Sequence, residues 1–87
     1  MGITDDATDS GITIYPNPTS DRINLSFKEI ERDVTIRIYN PLGELIHTSV
    51  LNATQSFDFV MPNAAGIYLI QVTNENGLLQ NFKVVKG

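Results

Sequence analysis

Twice between residues 22 and 39, apolar and polar side chains exchange places at every step. In Arg22-Ile23-Asn24-Leu25-Ser26-Phe27-Lys28 the apolar side chains of Ile23, Leu25 and Phe27 fall on one face. Asp33-Val34-Thr35-Ile36-Arg37-Ile38-Tyr39 repeats the pattern through Val34, Ile36 and Ile38. A two-residue period belongs to a strand with one buried face, because successive side chains leave a sheet on opposite sides. Five further segments read the same way: Ile12–Tyr15, Glu44–Val50, Ser56–Phe59, Ile67–Thr73 and Leu78–Val85. Tyr68, Ile70 and Val72 share a face in the sixth strand of this series, and Ile46, Thr48 and Val50 share one in the fourth. Strand centres recur about every 10–12 residues, the spacing of a sandwich or barrel. Residues 28–33 tolerate a helix but are too few to hold one without strong packing.

The connections carry turn chemistry. Asn40-Pro41-Leu42-Gly43 puts Asn, Pro and Gly at the first, second and fourth positions of a type I turn. Asn74-Glu75-Asn76-Gly77 suits a hairpin, and Gly66 releases the Met61–Ala65 connection into the next strand. Pro16-Asn17-Pro18 removes two backbone donors, so it ends the first strand or runs along an edge. The expected fold is all-β, an immunoglobulin-like seven-stranded antiparallel β-sandwich. Ile23, Leu25, Phe27, Val34, Ile36, Ile38, Tyr68, Ile70 and Val72 form its core. With no cysteine pair and no tryptophan it is not of the antibody type.

At 87 residues the chain has room for one core. Residues 1–11, polar and small with three Asp and no cation, read as a flexible linker behind a start methionine, and residues 12–87 as the domain. This arrangement implies a piece of a larger protein. Six Lys and Arg against ten Asp and Glu give a net charge of −4. That balance disfavours electrostatic capture of nucleic acid or an anionic membrane. No apolar run approaches the roughly 18 residues of a membrane span. Without cysteine there is neither a disulfide nor thiolate chemistry.

Chemistry is sparse. His47 is the one imidazole, and on the strand face opposite Ile46 and Thr48 it reads as a solvent-exposed histidine without a partner nucleophile or acid. Asp58 and Glu44 are single acids on solvated faces. No phosphate-cradling glycine loop or nucleophile elbow is present. Asp5, Asp6 and Asp9 lack the spacing of a calcium loop, as do Asp21, the Glu29, Glu31 and Asp33 group, and Glu75. Tyr15, Tyr39 and Tyr68 lie on different strands and read as packing residues, not as a sugar-stacking platform. No catalytic residue, metal or cofactor is therefore assigned.

Four stretches in order carry a resemblance. They are Tyr15-Pro16-Asn17-Pro18, Ile38-Tyr39-Asn40-Pro41-Leu42-Gly43-Glu44-Leu45-Ile46, Gly66-Ile67-Tyr68-Leu69-Ile70-Gln71-Val72 and Lys83-Val84-Val85-Lys86. Residues 12–87 resemble the C-terminal sorting domain, type A, of cargo for the type IX (Por) secretion system of Bacteroidota. The resemblance implies a non-catalytic address at the end of a larger secreted protein. Its partners would be the attached N-terminal cargo and the secretion machinery, namely the outer-membrane translocon, shuttle and sortase-like components. It further implies transit through the periplasm, then secretion or display on the cell surface, with no membrane insertion by the domain itself. The residues it marks are Pro16, Asn17, Pro18, Gly66, Tyr68, Lys83, Val84, Val85 and Lys86.

The residues themselves add that the terminal strand is cationic on an acidic chain, through Lys83 and Lys86. As a candidate sheet edge it offers a receptor a place to pair by strand addition. A plainer reading makes the two lysines guards against aggregation, and makes Pro16, Asn17, Pro18, Gly66 and Tyr68 turn and core residues. A fibronectin-like or carbohydrate-binding accessory module of an extracellular enzyme is the alternative function.

Overall fold

The two alternating runs are the two limbs of a single long strand. In a computed structural model that describes residues 11–87, the side chains at 78 and 79 excepted, five strands form one antiparallel sheet. They are β1 (Ile12–Tyr15), β2 (Arg22–Tyr39), β3 (Leu45–Val60), β4 (Gly66–Asn74) and β5 (Gly77–Lys86). The expected linker, Gly11 apart, lies outside the described residues.

The fold is thus all-β and antiparallel as expected, but it has five strands in one sheet instead of seven in two. The expected breaks after Lys28 and after Val50 are absent because backbone pairing runs through them. Residues 22–26 of β2 pair with residues 56–60 of β3, and residues 31–39 pair with 45–54. Between these ladders residues 27–30 of β2 stand opposite residue 55 alone. Such an insertion bends a strand without ending it. It also resolves a conflict of faces. Ile23, Leu25 and Phe27 are buried at odd positions, whereas Val34, Ile36 and Ile38 are buried at even ones. Asp33, at φ 53°, supplies part of the turn in backbone direction that exchanges the two faces.

The bend folds the β2–β3 ribbon over on itself. Phe57 and Phe59 pair with Leu25 and Ile23 on the first limb, and His47 pairs with Ile38 on the second. Yet the His47 ring centroid lies 4.8 Å from that of Phe59 and 6.3 Å from that of Phe57. The inner faces of the two limbs therefore meet. On the other edge of β2, β1 pairs with the first limb and β4 with the second, and β5 pairs with β4. One core fills the space between the limbs, and all nine residues expected in it are buried, joined by Ile12, Met61, Phe82 and Val84. Each such aliphatic side chain contributes about 1.5–3 kcal/mol by leaving water.

The inner face of β3 departs from expectation. His47, Ser49 and Leu51 pair with the buried Ile38, Ile36 and Val34, so the half-buried His47 faces inward. Ile46, Thr48 and Val50 do share a face, but it is the outward one, with Val50 69% exposed. β3 is the outermost strand on its side of the fold, where the inner face is only half covered and a polar side chain keeps access to water. His47 uses that freedom to hydrogen-bond the Ser49 hydroxyl at 2.7 Å.

Truncating the second limb at its centre tests this core. Ile36→Ala is expected to lower unfolding free energy by about 2–5 kcal/mol in urea titrations, as for large-to-small changes at closed sites. Ile46→Ala, on the outward face of β3, is expected to stay within roughly 1 kcal/mol.

Candidate functional site

The end of the sheet opposite the bend gathers segments from the whole chain. β1 leads into Pro16–Asp21, and this loop crosses to the last strand. Both prolines of Pro16-Asn17-Pro18 follow cis peptide bonds. The Asn17 amide donates to the Lys83 carbonyl at 2.9 Å, and its side-chain oxygen accepts from the Val85 N–H at 3.0 Å. One side chain thus satisfies a donor and an acceptor of β5 as a neighbouring strand would. Two residues on, the Thr19 N–H donates to the Val85 carbonyl at 2.8 Å and the Gly87 N–H donates to the Thr19 carbonyl at 3.0 Å. Thr19 pairs in parallel with Lys86. This clasp joins the first strand's exit to the last strand's end and closes that side of the sheet.

Three other connections lock onto the same end. In the β2–β3 turn the Gly43 N–H reaches the Asn40 carbonyl at 2.8 Å, the bond of the expected turn. The Asn40 side-chain oxygen also accepts from the Leu42 and Glu44 N–H groups, each at 2.9 Å. This turn presses on the start of β4. A Cβ at Gly66 would lie 2.6 Å from Pro41 Cγ, and the glycine's φ of +146° is one that side-chain-bearing residues rarely adopt. The β3–β4 connection is tied down from both sides. The buried Tyr68 hydroxyl donates to the Ala64 carbonyl at 2.6 Å, the Met61 N–H donates to the Asp21 carbonyl at 2.7 Å, and Lys86 Nζ donates to the Asn63 carbonyl at 3.2 Å. Between turn and connection lies an apolar groove of about 380 Å³, with Pro41, Leu42, Ile46, Pro62, Ala65 and Tyr68 in its wall.

All four motifs of the sequence thus meet in one place. The chain matches the model of the family described as secretion system C-terminal sorting domain over residues 13–86. It belongs to that family. An endo-acting ulvan lyase of Formosa agariphila is 36% identical over 77 residues, which cover 87% of this chain and 15% of the lyase. No solved structure matches the chain. The domain is accordingly a C-terminal sorting signal of the type IX system, serving export of attached cargo to the medium or the cell surface.

Within the sorting domain the marked residues divide by surroundings. Tyr68, Val84 and Lys86 are buried, while Pro16, Asn17, Pro18, Lys83 and Val85 are exposed. Lys86 corrects the picture of a doubly cationic strand. Its side chain is only 8% exposed, and its ammonium donates to the Asn63 carbonyl and to a main-chain oxygen of Gly87, each at 3.2 Å. Lys83 alone presents its charge outward. The terminal edge is likewise not open for strand addition over residues 83–87, since Asn17 and Thr19 occupy it. Of the three tyrosines, Tyr15 is exposed, Tyr39 half-buried and Tyr68 buried, so they make no shared platform.

Thr19 and Asn40 escaped sequence reasoning as site residues. Thr19 is buried, donates its hydroxyl to the Arg22 carbonyl at 2.7 Å and accepts from the Asp21 N–H at 3.2 Å. Its signal was the Thr-Ser-Asp sequence after Pro18, which favours a side-chain-stabilised turn. Asn17→Ala is expected to cost about 1–2 kcal/mol, two hydrogen bonds whose partners regain water. It should also speed amide exchange at Val85 relative to Val72, as read by NMR.

Proposed function

We propose that the secretion machinery reads the end of the sheet where the clasp, the Asn40–Glu44 turn, the groove and the Gly66–Tyr68 strand start come together. The observation that carries this reading is the placement of the two ends of the domain. Gly11, where the cargo-bearing segment enters, accepts a hydrogen bond from the Lys28 N–H at 2.7 Å and so sits at the bend. The motif residues sit toward the far end: Pro16, Asn17 and Pro18 follow the last β1 pair, Tyr15↔Asn24, and the outermost pair of β4 and β5 is Gly66↔Lys86, with Tyr68↔Val84 two steps inside it. A partner meeting that far end approaches without passing the cargo.

In this reading the domain is not catalytic. It carries cargo from the periplasm to an outer-membrane translocon, passes to shuttle and sortase-like components, and is severed within residues 3–11. Pro16, Asn17, Pro18, Gly66, Tyr68 and Lys86 hold the recognised surface in shape, while Lys83 and Val85 lie on its exterior. The type A assignment rests on the same residues. An accessory binding module finds no comparable support, because no stacking platform accompanies the polar faces.

Export from a type IX host separates shape from contact. Deleting residues 83–87 is expected to strand a fused reporter in the periplasm. Lys83→Glu should lower export more than Lys28→Glu, an equal charge change at an exposed lysine near the bend, with melting temperatures of the two within a few degrees. Equal export of both variants would remove Lys83 from the recognised surface, and full export of the truncated fusion would reject the reading.

A further inference from the structure

The outer edge of β5 is covered over residues 83–87 by Asn17 and Thr19. On the other side β3 pairs with β2 alone among the described residues, and it is sixteen residues long. Unguarded edges of that length invite pairing, and proteins ordinarily blunt them with lysine, proline or inward charge. β3 has no proline and no lysine, and Asp58 is its one formally charged residue.

We infer that this edge is a self-association surface, and that a second copy of the chain occupies it by antiparallel pairing of Leu45–Leu51 about a two-fold axis at Thr48. Three observations select this occupant. The first is charge: two chains of net charge −4 repel, but the segment from residue 45 to residue 57 contributes no formal charge at neutral pH. The seam is therefore the neutral part of an acidic molecule. The second is self-complementarity, which a two-fold interface requires. An axis at Thr48 sets Thr48 opposite Thr48, Ile46 opposite Val50 and Leu45 opposite Leu51. The outward face then gains two β-branched apolar pairs around a threonine pair, combinations that stabilise neighbouring strands. The third is exposure: Leu45, Ile46 and Val50 are 51%, 39% and 69% exposed, more apolar surface than a solitary edge strand needs. A one-residue slip would place this stripe against the partner's polar inner positions, so the pattern itself sets the register. Seven paired residues make a small interface, so the dimer is weak and concentration-dependent.

The chain has no cysteine, so a single introduced thiol reports the geometry cleanly. Sedimentation of the 87-residue chain across rising concentration is expected to show its mass climbing from 9.6 kDa toward double that value. Under mild oxidation Thr48→Cys should become a disulfide dimer, whereas Thr13→Cys, exposed on β1, should stay monomeric. Val50→Lys should abolish the mass increase with little change in melting temperature, since this side chain faces solvent. A mass fixed at the monomer at every concentration would overturn the inference. So would cross-linking of the Thr13→Cys chain as fast as the Thr48→Cys chain, or an undiminished dimer in the Val50→Lys chain, each of which would locate any association elsewhere. None of these outcomes depends on export, so the sorting role and the self-association stand or fall separately.

Discussion

Two backbone groups of the last strand, the Lys83 carbonyl and the Val85 N–H, find their partners in the side chain of Asn17. These contacts span 66 and 68 residues of sequence, so they order both ends of the domain at once. Without them β5 would show an open row of donors and acceptors at its end, and the loop after β1 would have nothing to lie on. Thr19 extends the same closure through the backbone, and the Met61 bond to Asp21 passes it to the β3–β4 connection. From there Tyr68 and Lys86 bind the same connection through Ala64 and Asn63. Burying Lys86 would be costly for an unpaired ammonium. Here the apolar stem lies within the fold while Nζ donates to the Asn63 carbonyl and to a main-chain oxygen of Gly87, which lessens the cost.

What was legible in the sequence follows the strength of the physical signal. Each core alternation in residues 22–39 came through because burial on one face leaves a period that nothing else mimics. The Asn40 turn and the Asn74–Gly77 hairpin were equally plain, their residues being required by the backbone itself. The faces of β3 were obscure. An edge position half covers the inner face, so His47 and Ser49 can point inward while Ile46 and Val50 point out, and the apolar pattern inverts. The continuity of β2 was hidden for a different reason: a bend and a loop both need polar, flexible sequence, and only the pairing of residues 31–39 with β3 distinguishes them.

The candidate site shows the same division. Asn17, Gly66, Tyr68 and Lys86 were marked by the company they keep in sequence, but their chemistry lies in contacts that no local pattern reveals. Asn17 is an exposed polar residue that substitutes for a strand, and Lys86 is a lysine that behaves as a buried anchor. Charge reasoning treated Lys83 and Lys86 as equals because composition cannot tell an ammonium in water from one held by main-chain oxygens.

This arrangement bears on how a sorting signal spread over its whole chain can be read at one place. The second and third motifs pair through Ile38↔Ile70 and Tyr39↔Leu69, and Gly66 lets Pro41 approach the start of β4 at a distance that a Cβ would forbid. The first and fourth touch through Asn17 and Thr19. Lys86 then links the fourth motif to the connection that precedes the third, and Tyr68 links the third to that same connection. Every motif therefore contacts another, and the surface they enclose exists only in a folded chain that carries residues 83–87. A linear peptide of the last residues presents Lys83 and Val85 without the loop that aligns them. Recognition of the assembled end would thus discriminate folded signal from bare sequence, because the groups that define its shape come from opposite ends of the domain.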